Sequence, residues 1–150
     1  MTPQEAFEKH VGELTRFASG LVGPWEAEDV VAEACLKAFA SPKWNAITHQ
    51  RAYLYRSVMN HARMRRRASL RRRTREARAA RPEGEFPIEL DPDVLDAVKR
   101  LSVRQRAVTF LTYWEDLRPV DIAARLGISA GSVRRHLHRA HVRLREVIDD

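Results

Sequence analysis

The sequence predicts an all-α protein: two small helical domains joined by a flexible linker, the C-terminal one a helix-turn-helix. Three observations lead there. Apolar residues recur at three- and four-residue spacing over most of the 150 residues. A polar stretch containing Pro82, Gly84 and Pro87 interrupts that pattern. Beyond it, a short helical segment, a turn at Gly127 and a long amphipathic segment follow one another closely. The expected divisions are 1–77 for the first domain, 78–90 for the linker and 91–150 for the second.

The first helix carries Phe7, Val11, Leu14, Phe17, Ala18 and Leu21 on one side, and Gly23-Pro24 ends it. The second, "PWEAEDVVAEACLKAFAS", packs through Ala27, Val30, Val31, Ala34, Cys35, Ala38 and Phe39. Its acids crowd the first turns, where the helix dipole favours them. Cys35 reads as a small buried hydrophobe. "SPKWNAITHQ" loses periodicity and is expected to be a loop. A third helix begins near Gln50 with Ala52, Tyr53, Leu54, Val58, Met59 and Ala62, and runs into an arginine-dense tail. Three such helices make a compact bundle.

After the linker, Asp91-Pro92 reads as a cap and a first-turn proline. Ser102 and Gln105 have capping-box spacing ahead of Val103, Ala107, Phe110, Leu111 and Trp114. "RPVDIAARLGIS" is a short helix closed by Gly127, with Ile128 plugging the turn and Ser129 capping the last helix. In that helix Val133, Leu137, Ala140, Leu144 and Val147 form the inward seam. Ser132, Arg134, Arg135, His136, His138 and Arg139 stand off it. Arginine suits guanine edges and phosphate, while serine and histidine add shorter contacts.

Charge supports a polyanionic partner. The formal charge of +7 is blocked: residues 51–81 hold twelve arginines against one glutamate, and residues 82–98 hold six acids and no base. One cysteine excludes an internal disulfide framework and a cysteine metal cluster, and the six histidines lack convenient partner ligands, so no metal or cofactor is expected. No apolar run spans a membrane and no signal peptide is visible, which points to a cytoplasmic setting. No nucleophile, base and orienter fall into a catalytic arrangement, so the chain does not read as an enzyme.

Together "AEDVVAEACLKAFA", "RAYLYRSVMNHARMRRR" and "LSVRQRAVTFLTYWEDLRPVDIAARLGISAGSVRRHLHRAHVRLREVI" resemble bacterial RNA polymerase sigma factors of the extracytoplasmic-function type, the short kind with regions two and four only. The resemblance spans nearly the whole chain outside the linker. It implies that the chain binds core RNA polymerase and promoter DNA, with an anti-sigma factor as a further partner common in the family. It assigns Asp29, Val30 and Glu33 to polymerase docking. It assigns Tyr53, Arg56 and Asn60 to the opened −10 strand, where stacking and polar contacts suit unpaired bases. The loop Lys43–His49 falls where the family captures a flipped base. Arg63, Arg65, Arg66 and Arg67 would add backbone phosphate contacts. The off-seam residues of the last helix would read the −35 element.

The chain departs from the family pattern at Ala32, Cys35, Met59, Met64 and His136. Two other readings of the residues stay open at this stage. One is a helix-turn-helix regulator that never docks on polymerase; the other is an interaction protein whose arginines are plain exterior. Tyr53 is equally compatible with a place in the core.

Overall fold

Helix α1 (Pro3–Val22) opens where Thr2 accepts a hydrogen bond from the Glu5 amide at 3.2 Å, and it closes at Gly23, whose φ of 84° suits glycine. The computed structural model describes residues 1–75 and 91–148; the expected linker at 78–90 lies outside them. The inward stripe of α1 is Ala6, His10, Leu14, Phe17, Ala18 and Leu21. Phe7 was expected on that stripe but lies at its edge, 38% exposed. Ala6 and His10, one turn apart, fill the place instead.

Helix α2 (Pro24–Ala40) buries Ala27, Val30, Val31, Ala34, Cys35 and Ala38, as its spacing implies. The following stretch is more ordered than a plain loop. Trp44 begins a single 3-10 turn (Trp44–Ala46), is buried, and donates its indole N–H to the Met1 carbonyl at 3.2 Å. Its ring meets Phe39 edge-on at 4.9 Å. Helix α3 (Gln50–Arg75) buries Leu54, Tyr55, Val58, Met59 and Ala62 against α1 and α2. Tyr55, rather than Tyr53, supplies the inward aromatic, 4.9 Å from the Phe17 ring.

The second cluster starts at α4 (Pro92–Arg100), capped by the Asp91 carboxylate. Helix α5 (Val103–Tyr113) has its full capping box: Ser102 accepts from the Gln105 amide at 3.1 Å, and the Gln105 side chain accepts from the Ser102 amide at 3.0 Å. A turn through Asp116, at φ 57°, leads to α6 (Pro119–Leu126). Gly127 adopts the left-handed conformation at φ 65°, and the Ile128 amide returns to the Ala123 carbonyl at 3.1 Å. Ser129 then accepts from the Ser132 amide at 3.0 Å and opens α7 (Ala130–Ile148). Val133 and Ala140 are fully buried on the α7 seam, while Leu137 and Leu144 are half-buried.

The two clusters, α1–α3 and α4–α7, do not stand apart. Their buried residues merge into one apolar core through α1 against α5 and α3 against α5 and α6. Phe110 of α5 lies on Gly20 of α1, where a Cβ would come within 2.7 Å of its ring. Three arginines reinforce the seam, each donating to the carbonyl end of a helix in the opposite cluster. Arg56 of α3 reaches the Leu126 and Gly127 carbonyls ending α6. Arg66 of α3 reaches Lys99 and Leu101 at the end of α4. Arg106 of α5 reaches the Leu21 carbonyl near the end of α1 at 2.7 Å. The last carbonyls of a helix have no partner within it, and a guanidinium placed there also meets the negative end of the dipole.

No helix among the described residues is long and apolar enough to cross a membrane. Cys35 is buried at the centre of the first cluster, and burial pushes its thiol up from 9.0 to about 11. A rise of that size leaves roughly a hundredfold less thiolate at a given pH. The folded protein should therefore react with a chromogenic disulfide reagent at pH 8 at least ~100-fold more slowly than the same protein in guanidinium. Equal rates would place the thiol at the surface.

Candidate nucleic-acid interface

Helix α7 follows a left-handed glycine turn, and this geometry presents its first two turns outward while Val133 anchors it inward. Arg134, Arg135, His138 and Arg139 are exposed, and Ser132 and His136 are half-buried. The Arg135 guanidinium donates to the Ser132 hydroxyl at 2.9 Å, which in turn accepts from Ser129 at 3.0 Å. Arg135 is thus held in position rather than free to sweep. The pKa of His136 is pushed down from its ordinary value of 6.5, first by burial and then by Arg104, Arg139 and Arg135. Its neutral form is the favoured one beside those cations.

The seven positions expected on the third helix separate into four groups. Asn60, Arg63 and Arg67 stay on the side of α3 that meets α5. Burial first, then Arg104 and Arg67, lower the pKa of Arg63, so three guanidinium groups share one neighbourhood. Arg56 and Arg66 are on the same side but occupied by carbonyls of α6 and α4. Arg65 turns the other way, to Glu33 at 3.1 Å and Glu26 at 3.8 Å on α2. It reads better as a brace between α2 and α3 than as a phosphate contact. Tyr53 is half-buried, 6.4 Å from the Trp44 ring, and belongs to the edge of the core.

The expected docking residues on α2 also separate. Val30 has no exposed surface and belongs to the core, because it points along the Ala27, Ala34 and Ala38 stripe. That assignment is corrected: a partner at this surface meets Val30 only through the helix it supports. Asp29 is exposed. Glu33 is exposed but engaged by His61 and Arg65 of α3. The hydrogen bond from His61 is the chief cause holding its carboxyl below the usual 4.5, with burial opposing and Arg65 assisting.

Two residues missed from the sequence complete that face. Trp25 is 75% exposed and Leu36 is 70% exposed, and with Asp29 and Ala32 they follow a 4-3-4 spacing along one side of α2. The signal was available: large apolar side chains fall on the stripe opposite Ala27, Val31 and Ala34.

The tertiary structure brings the two expected DNA surfaces together. Arg56, Met59 and Asn60 of α3 face Arg104 and Val108 of α5, Leu126 and Ile128 of the turn, and Ser132 and His136 of α7 across a cleft of about 360 Å³. Its rim is basic and its floor apolar. Among the described residues, no group of three or more His, Cys, Asp or Glu side chains could hold a metal.

Comparison with known proteins agrees with this organisation. Residues 6–75 match the family profile of Sigma-70 region 2, and residues 93–144 match that of Sigma-70, region 4. The RNA polymerase sigma-E factor of Streptomyces antibioticus is 34% identical over 155 residues, which span 91% of this chain and 78% of that protein. The ECF RNA polymerase sigma factor SigL of Mycobacterium tuberculosis is 30% identical over 157 residues, covering 96% and 87%. Among solved structures, the sigma factor RpoE of Bartonella quintana, in complex with the anti-sigma factor NepR, is similar with a TM-score of 0.63. It is 25% identical, over 97% of this chain and 96% of that one. With both regions present in order and relatives of this closeness, the chain belongs to the sigma-70 family of RNA polymerase sigma factors, in its extracytoplasmic-function group.

Proposed function

We propose that residues 1–77 and 91–150 act as two halves of a sigma factor that binds core RNA polymerase and directs promoter recognition and transcription initiation. The observation that carries this reading is the ordered pair of matches, region 2 over 6–75 and region 4 over 93–144. The exposed cations of α7 follow the turn of the second. The chain works by binding alone, in the cytoplasm where core polymerase resides; the polymerase makes the RNA. Helix α2 offers Trp25, Asp29 and Leu36 to the core enzyme. Helix α7 enters the −35 major groove with Arg134, Arg135, His138 and Arg139. Helix α3 presents Arg56, Asn60, Arg63 and Arg67 to the opened −10 strand. Two weak contacts at a fixed spacing on one enzyme combine through effective concentration. An anti-sigma factor is a further proposed partner, since the similarly folded Bartonella sigma factor is in complex with one.

Core binding is the decisive measurement. The chain should be captured by immobilised core polymerase at low salt. Leu36→Glu should weaken that capture by roughly tenfold, the scale of losing one apolar anchor at an interface. Leu36 is 70% exposed, so the fold is spared. No capture at all would overturn the sigma assignment in favour of a DNA-binding regulator.

Sequencing transcripts made by core polymerase plus this chain on genomic DNA would yield a promoter for the second test. On that promoter Arg135→Ala should cost about 1–3 kcal/mol of binding, and clearly less on random duplex. Equal losses would make Arg135 a phosphate contact.

The third expectation concerns pH. The folded chain lowers the pKa of His136, so the unfolded chain takes up its proton first. Stability is therefore full above about 6.5, the ordinary value, and is lost as pH falls through it. Between pH 7.5 and 5.5 the wild type should lose more thermal stability than His136→Gln; identical losses would show that His136 titrates normally.

A further inference from the structure

The two serines at the start of α7 form a chain of hydrogen bonds that ends on Arg135. We propose that Ser132 is a positioning residue: seated by the Ser129 cap, it fixes the Arg135 guanidinium in the pose that reads a guanine of the −35 element, and it acts on DNA only through Arg135. The proposal rests on the reading of α7 as the −35 helix given above.

The chain starts at the cap. The Ser132 amide donates to the Ser129 hydroxyl oxygen at 3.0 Å and closes the first turn of α7. The Ser129 hydroxyl then donates to the Ser132 hydroxyl oxygen, also at 3.0 Å. The Arg135 guanidinium donates to that same oxygen at 2.9 Å through Nη2. Ser129, Ser132 and Arg135 are three residues apart, so they share one ridge of the helix, where side chains at this spacing meet. Ser132 is half-buried beside His136 at the cleft, and Arg135 is the exposed end of the chain.

Counting donors and acceptors defines what each side chain has left to offer. A serine oxygen has two lone pairs and one hydrogen. Ser132 spends both lone pairs, on Ser129 and on Arg135, so it cannot accept from a cytosine or adenine amino group. Arginine has five N–H donors, and Arg135 spends one of them here. The two bidentate edges of a guanidinium use different Nη2 hydrogens, so one edge stays whole, and it matches guanine O6 and N7. The partner is a neutral hydroxyl, which leaves the charge of Arg135 in place where a carboxylate would cancel it. A guanidinium fixed before contact also loses less freedom on binding than one that sweeps.

The test uses core polymerase with the full chain and two labelled duplexes. One carries the −35 element of a promoter found by transcript sequencing; the other has random sequence. Ser132→Ala removes the hydroxyl but keeps the amide that makes the cap, so its melting temperature should match the wild type. It should bind the promoter duplex about fivefold more weakly, the scale of ordering one long side chain at the interface rather than beforehand. Binding to random duplex should be unchanged, because no charge is lost. Ser132→Thr returns a hydroxyl and should return promoter affinity. The double variant with Arg135→Ala should bind the promoter no more weakly than Arg135→Ala alone, because the two residues act as one.

Additive losses in the double variant would overturn the proposal and make Ser132 a DNA contact of its own. Equal losses on both duplexes, no loss, no recovery with Ser132→Thr, or a melting temperature lowered by several degrees would overturn it too. The base assignment is measured separately, with a guanine analogue whose N7 is replaced by carbon, placed at each −35 guanine in turn. One such replacement should weaken wild-type binding and leave Arg135→Ala nearly unaffected. If none does, the guanine reading of Arg135 falls and the positioning role falls with it. If one does and the double variant is additive, the reading stands and the positioning role alone falls.

Discussion

Guanidinium groups closing the carbonyl ends of helices in the opposite cluster are the interaction on which the arrangement depends. A helix leaves its last carbonyls without internal partners, and an arginine brings both donors and the right charge. Hydrogen bonds to a charged group are worth roughly 1.5–3 kcal/mol each. Arg56, Arg66 and Arg106 each make such contacts across the seam. Around them the Phe110 ring meets Phe17 at a tilt, with centroids 6.3 Å apart, and stacks on Trp114 at 6.0 Å. Two clusters that each bury only a small core thereby share one.

That arrangement explains why the basic residues of α3 do not behave as one surface. Helical rotation sends Arg65 to Glu26 and Glu33, Arg66 to α4, and Arg63 towards Arg104. A run of arginines in sequence is therefore three different devices in space. One braces the first cluster, one grips the second, and one stays available to phosphate. The same logic applies to α2, where Val30 supports the helix from inside while Trp25, Asp29 and Leu36 face outward.

Local patterns in the sequence were enough to place the helices, the caps and the turn. Asp91, Ser102, Gly127 and Ser129 act over three or four residues, so their geometry follows from chemistry near in sequence. The inward seam of α7 at Val133 and Ala140 and the outward Arg134, Arg135, His138 and Arg139 were legible for the same reason: period and side-chain type agree. Ambiguity began where a residue's role depends on what lies across space. Tyr53 and Tyr55 are two apart and similar in kind, and only packing against Phe17 sends Tyr55 inward. Trp44 looked like a loop residue until Phe39 and the Met1 carbonyl gave it partners. Sequence by itself determined a helical chain with a DNA-type helix-turn-helix and an arginine-dense third helix. Tertiary structure alone decided that the two halves close on each other, because a guanidinium chooses among carbonyl, carboxylate and phosphate by proximity, which no local spacing encodes.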